Sequence, residues 1–268
     1  MLSSCENSKA LIGENEVQIT IQLKEGKKTL LVDKTEVTNA QFQEFISETK
    51  YKTTAERDFT LQIMKNDLIV DSLIHAGSLV FAKTEGPVRL NDYSQWWRWV
   101  EGASWKTPEG PDSDIKTKMD HPVVHVSYED VNAYAEWAGK RLPTEQEWEL
   151  LAAGGEENRF AWGNEKADQA STKANFWQGL FPFKNTIEDG FEGTAPVKSF
   201  AANAYGLYEM SGNVWEWAIS ENGQPVVKGG SFLCNDSYCS GYRIDSRMPN
   251  DRESSLNHTG FRLVKDLR

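Results

Sequence analysis

Between residues 156 and 226 the chain loses its apolar rhythm. Short apolar clusters are broken there by Gly, Asn, Pro and Asp, a pattern of loops and brief strands. A stretch this long with so little regular structure, inside a compact domain, needs something beyond apolar burial to fix it. Bound metal ions are the simplest device.

The flanking segments are more regular. Val17, Ile19, Ile21 and Leu23 alternate with polar residues, the period of a half-buried strand, and Leu30-Leu31-Val32 is a second apolar run. Thr38 to Gln41 has a capping-box pattern and predicts a helix with Phe42, Phe45 and Ile46 on its buried face. Ser127 with Asp130 predicts a second helix, striped by Val131, Tyr134, Ala135 and Ala138 and ended by Gly139. A third starts at Thr144, with Glu147 completing the box. Trp148, Leu151 and Ala152 point inward, and Gly154-Gly155 stops it. Its carboxylates read as a solvated face. Val226-Val227 and Gly260 to Val264 read as late strands. No repeat, low-complexity run or linker intervenes. The expectation is an α+β fold: one compact domain over residues 16–268, low in regular secondary structure, after an N-terminal tail of residues 1–15.

Composition narrows the function. The 268 residues carry 29 Lys and Arg against 40 Asp and Glu, a net charge of −11. Such a surface repels phosphate backbones, so no nucleic-acid partner is expected. No stretch approaches the roughly 20 apolar residues of a membrane-crossing helix. Leu2-Ser3-Ser4-Cys5 has the form of a bacterial lipobox followed by a polar spacer, Glu6 to Lys9, without the charged and apolar regions of a signal peptide. It predicts a lipid anchor at Cys5 and a place in the bacterial periplasm or envelope, the cytoplasm being the alternative. A monomer is expected.

All 10 Trp residues fall between Trp96 and Trp217. Most are assigned to packing and only Trp215 to function. The other two cysteines, Cys234 and Cys239, follow Gly229-Gly230-Ser231 five residues apart. That spacing suits neither a zinc knuckle nor a thioredoxin-type pair. Two thiols without nearby His suit a soft, low-coordinate ion such as Cu(I). A small structural disulfide is the other reading, and spacing alone favours it. His121 and His125 lie four apart in extended sequence, about 13 Å along a strand, too far to share one ion. Both are assigned to structure.

Longer motifs bear on the choice. They run from Val32-Asp33-Lys34-Thr35-Glu36-Val37-Thr38-Asn39 through Glu109-Gly110-Pro111-Asp112-Ser113, His121-Pro122-Val123 and Trp137 to Glu145. Then follow Asn175 to Gly179, Asp189-Gly190-Phe191, Gly206-Leu207-Tyr208, Gly212 to Trp217 and Gly260-Phe261-Arg262. In these the sequence resembles the formylglycine-generating enzymes, the sulfatase-modifying family, a fold distantly like C-type lectins. The pair Cys234 and Cys239 after Gly-Gly-Ser resembles the copper-dependent oxidase branch.

The resemblance implies an oxidase that converts the cysteine of a Cys-x-Pro-x-Arg motif, in an unfolded sulfatase polypeptide, to Cα-formylglycine. O2 is the co-substrate, and the sulfatase is thereby activated. It implies Cu(I) held by Cys234 and Cys239, with Ser231 and Trp215 lining the oxygen and substrate pocket. It also implies structural Ca²⁺. One site would use side chains of Asn175 and Asp189 with carbonyls of Phe176 and Phe191. A second would use Glu209 and Glu216 with carbonyls of Gly212 and Val214. The chain departs from the family pattern at Glu209 (Asn or Asp elsewhere), Asn235 (often His), Gly241 (often Arg) and His258 (often Asn). The competing reading is a non-catalytic envelope lipoprotein of the same fold, serving binding or assembly.

Overall fold

The computed structural model describes residues 13–65, 68–170 and 172–267, so the lipobox expectation at Cys5 lies outside the described residues. Strands β1 (Glu16–Leu23) and β2 (Gly26–Asp33) form a full antiparallel hairpin. Helix α1 (Asn39–Thr49) follows, capped as expected by Thr38 with Gln41. Four strands come next: β3 (Phe59–Lys65), β4 (Leu68–Ile74), β5 (Gly77–Phe81) and β6 (Trp97–Glu101). They pair as two separate hairpins, β3–β4 and β5–β6, neither of which the sequence pattern predicts.

Helices α2 (Tyr128–Trp137) and α3 (Glu145–Ala153) start at Ser127 and Thr144, each with a complete capping box. The carboxylates of α3 are not a solvated face. Glu147 is buried, caps the helix by accepting from the Thr144 amide, and pairs with Arg141 and Lys28. Glu149 reaches the fully buried Lys228 ammonium at 2.6 Å.

Among the described residues of 154–214 the only regular elements are the two-residue strands β7 (Gly179–Leu180) and β8 (Lys184–Asn185) and one 3-10 turn. The late strands are β9 (Trp215–Ile219), β10 (Pro225–Lys228), β11 (Met248–Pro249), β12 (Thr259–Gly260) and β13 (Val264–Leu267). The expected strand at 260–264 is therefore split, its ends joining different sheets. β12 runs parallel to β9 in the sheet β11-β10-β9-β12, whereas β13 lies antiparallel to β2 in the sheet β1-β2-β13. The fold is one compact domain, mostly sheet with few helices. No helix among the described residues is long and apolar enough to cross a membrane.

The main core gathers Phe42 and Phe45 of α1, Val131 and Tyr134 of α2, Trp215 and Trp217 of β9, Phe261, and Cys234. Cys234 is thus a core residue, so the loop that carries it is set by packing. Of the tryptophans, Trp96, Trp148, Trp177 and Trp217 are fully buried, in keeping with their assignment to packing.

Candidate functional site

Strand β10 ends at Lys228, and the chain turns sharply at Gly229 and Gly230, whose φ values are +86° and +74°. Both glycines are required by contact as well as conformation. A Cβ on Gly229 would stand 2.9 Å from the Trp148 ring, and one on Gly230 would stand 2.5 Å from the Tyr242 amide nitrogen. This turn delivers Ser231 into full burial, where its hydroxyl lies 3.0 Å from His258 Nδ1 and accepts from the Leu233 amide at 3.3 Å. The chain then doubles back. Cys234 N–H donates to the Ser231 carbonyl, and Cys239 N–H donates to the Asn235 carbonyl at 2.7 Å. Asn235 builds that second turn with its side chain, donating to the carbonyls of Trp177 and Gly179 and accepting from the Ser237 amide.

The two turns bring the thiols together. Both cysteines are free, Cys234 buried and Cys239 partly exposed, and they are hydrogen-bonded to each other. Burial pushes the Cys234 thiol well above its ordinary pKa, reinforced by Cys239. The hydrogen bond from Cys234 draws Cys239 below its ordinary value, and the Gly241 amide aids it. The pair therefore shares one proton easily and loses both with difficulty. Cys239 is the readier thiolate and the one open to solvent. Trp215 lies beside Cys239 across Gly241: a Cβ on Gly241 would lie 2.3 Å from the indole and 3.0 Å from Cys239 Sγ. Only glycine allows backbone, indole and sulfur to meet here.

His258 is buried, packs against the Trp97 ring at 4.8 Å, and accepts the Trp215 amide on its own carbonyl. Burial, with His125 adding to it, holds its pKa near 3, so it is neutral. The structure brings Ser231, Trp215, Cys234 and Cys239 together, with His258, Asn235 and Gly241 beside them. In the sequence the last three stand out only as departures from the family pattern. Their roles depend on contacts between residues far apart in sequence. His121 and His125 are structural: His121 bonds Thr194, and His125 is clamped between Ser78 Oγ and the Pro108 carbonyl.

Among the described residues no group of three or more His, Cys, Asp or Glu side chains could by itself hold a metal. An ion must therefore use carbonyls, or the two thiols. The first proposed calcium set fits. Asn175 is buried and its Oδ1 has no partner, while its Nδ2 donates to Gly193 O and Asn213 Oδ1. Asp189 accepts from the amides of Phe176 and Phe191, and burial raises its pKa. An orphaned oxygen beside a loop-organising carboxylate suits a hard cation.

At the second set Glu216 does not fit as a ligand. It holds the Arg262 guanidinium in a fork at 2.7 and 2.6 Å and also accepts from Trp148 Nε1 at 2.8 Å. Glu209, at φ +50°, accepts from the amides of Lys198 and Phe200. Gly212 is needed because a Cβ would lie 2.3 Å from the Asn175 carbonyl, and Val214 is buried beneath. Glu36 completes this buried cluster unforeseen. One oxygen accepts from Asn213, the other has no partner, and burial with Glu209 nearby raises its pKa well above the ordinary carboxylate range.

Residues 14–267 match the profile of the Sulfatase-modifying factor enzyme 1-like domain family. The chain belongs to that family. It is 42% identical over 265 residues to a formylglycine-generating enzyme of Mycobacterium tuberculosis, covering 89% of this chain and 88% of that protein. It is 39% identical over 246 residues to an inactive C-alpha-formylglycine-generating enzyme 2 of Bos taurus, covering 88% of this chain and 77% of that protein. PvdO from Pseudomonas aeruginosa has a similar fold at 19% identity, with a TM-score of 0.57 over 94% of this chain and 92% of that one.

Proposed function

We propose that the chain is a formylglycine-generating oxidase acting on the cysteine of a Cys-x-Pro-x-Arg motif in an unfolded sulfatase polypeptide. The observation that carries this reading is the pair of free, mutually bonded thiols, one sealed in the core and one reachable from outside. The formylglycine-generating enzyme of Mycobacterium tuberculosis at 42% identity supports it.

Two converging sulfurs without a nitrogen ligand match the preference of Cu(I), which when bound supplies the one-electron chemistry that O2 demands. The chain's own residues do the rest. Cys239, the readier thiolate, faces the incoming substrate, and Cys234 anchors it. The Gly241 amide steadies both sulfurs. Trp215 excludes water from one side, and neutral His258 fixes the Ser231 hydroxyl at the buried wall. Calcium at Asn175 and Asp189, with the carbonyls of Phe176 and Phe191, would fasten the loop that abuts the cysteine turn through Trp177.

Incubating the reduced, copper-loaded protein with a motif peptide in air should yield a hydrazide-reactive aldehyde. Absence of aldehyde with copper bound and oxygen present rejects the proposal. It leaves instead a non-catalytic module, a reading kept in view by the inactive relative.

A further inference from the structure

The β3–β4 hairpin has no part in the site just described. Among the described residues it is a two-stranded sheet of its own with both outer edges unpaired. Its register sets Phe59 opposite Ile74 and Leu61 opposite Ser72, and Leu68 and Val70 fall in step with them on that face. The other face carries Thr60, Gln62 and Asp71 together with Met64, Ile69 and Leu73, and Gln62 bonds Asp71 at 3.3 Å. The first face is the more apolar of the two, yet Leu61 is 47% and Leu68 67% exposed. Native edges are usually blunted by Pro or several charges. These strands contain no Pro, and Lys65 and Asp71 are their only charged residues. A two-stranded ribbon that leaves its apolar face open is marginal alone and suited to gaining a strand.

Its root connects to the thiols. Phe59 meets Trp99 edge-on at 5.7 Å. Trp99 stands two residues, about 7 Å, along β6 from Trp97. The Trp97 ring contacts His258, which holds Ser231. Beside Phe59, Leu79 and Trp99 opens a cleft of about 370 Å³ that is also lined by Asp58, Glu129, Asp251 and Glu253. Among the described residues lining it Arg57 is the one base, and its guanidinium is engaged by the Lys52 carbonyl and the Tyr51 ring.

We infer that this hairpin face and the acidic cleft at its root form a second docking surface for the polypeptide substrate, taking an extended segment outside the reacting motif. The segment is apolar where it lies on Leu61 and Leu68, pairs its backbone with a free strand edge, and carries a basic side chain into the cleft. This rests on the proposed function. The charge of the cleft and the aromatic row leading to Ser231 select an unfolded basic polypeptide over a second copy of this acidic chain.

The test uses the full chain and its variants Leu61→Ser/Leu68→Ser and Asp251→Asn/Glu253→Gln. The probe is a fluorescent unfolded peptide with Ala at the motif cysteine, a Val/Leu-rich flank and one Lys, so affinity is read without turnover. Roughly tenfold weaker binding is expected for the leucine variant. For the acid variant, weaker binding with a shallower salt dependence is expected. Conversion of a short peptide holding only the motif should be unchanged in both. If the short peptide is converted and the leucine variant binds the long probe like wild type, the docking inference is overturned while the proposed function stands. If wild type binds the long probe, and the leucine variant does not, but no peptide is converted, the proposed function falls and the docking surface stands. Loss of self-association or of vesicle binding in the leucine variant, with probe affinity intact, assigns the face to a second copy or a membrane and also overturns the inference.

Discussion

Replacing Gly241 by Ala should disable the site with both cysteines left in place. The added methyl would sit 2.3 and 2.4 Å from two atoms of the Trp215 indole and 3.0 Å from Cys239 Sγ. Non-bonded carbons settle at about 3.5–4.0 Å, so something must retreat by more than about 1 Å. Trp215 cannot easily do so, because its amide is held by the His258 carbonyl at 2.8 Å and β9 is paired on both sides. The Cys239 turn is the part free to yield. Overpacking of this kind costs about 1–3 kcal/mol, and a domain this size loses roughly 2–4 °C of melting temperature per kcal/mol. A misplacement of about 1 Å near the reacting atoms costs on the order of 100-fold in rate. The expected variant is folded, melts several degrees lower, and converts the motif peptide about 100-fold less well. Its Cys239 should also react with a disulfide reagent at an altered rate, a readout that needs no turnover. A variant with wild-type melting temperature, thiol reactivity and kcat/KM would refute the contact argument.

Other consequences are equally direct. Cys234→Ser and Cys239→Ser should each abolish tight Cu(I) binding in a chelator competition while the fold survives; wild-type turnover in either removes the metal assignment. Calcium chelation should lower the melting temperature, by about 2.7 kcal/mol of stability if the ion was present at 100 times its Kd, and Asp189→Ala should be indifferent to chelator. Burial holds His125 near pKa 4 and His258 near 3. The unfolded chain, titrating near 6.5, therefore takes up these protons first as pH falls. Their contribution is whole above about pH 6.5 and shrinks below it, by roughly 3 kcal/mol together at about pH 5.5, and His258→Asn should remove about half of that acid slope in urea melts. Glu216→Gln strands the buried Arg262 guanidinium and should cost about 3–5 kcal/mol by urea denaturation; a loss under about 1 kcal/mol contradicts the burial of that pair.

The three helix starts were legible because a capping box is local: Thr38, Ser127 and Thr144 declare themselves within four residues. Glu147 misled for the same reason, since its partners Lys28 and Arg141 come from other segments and turn a solvent-like pattern into a buried ion pair. The thiol pair was visible as a motif, but its spacing alone fitted a disulfide. The contact between the thiols, and the division into an inner and an outer sulfur, follow from the Asn235 turn and from burial, neither of which spacing encodes. The hairpin over residues 59–74 was invisible to pattern because apolar residues occur on both of its faces, blurring the alternation that marks a half-buried strand.

The pairing of β13 with β2 has a consequence for biogenesis. β2 receives its second neighbour only from Val264 to Leu267, and the Arg262 guanidinium that engages Glu216 also reaches the Lys34 and Tyr208 carbonyls. While the chain is still emerging from a ribosome, one side of β2 is a bare edge and Glu216 is a charge without its counterion. Native locking of this part of the fold must therefore await synthesis of residues 262–267, a highly non-local closure of the kind that folds slowly. Until then the nascent protein presents an open strand, and it is in this interval, rather than in the finished molecule, that chaperones or export machinery would find it easiest to hold.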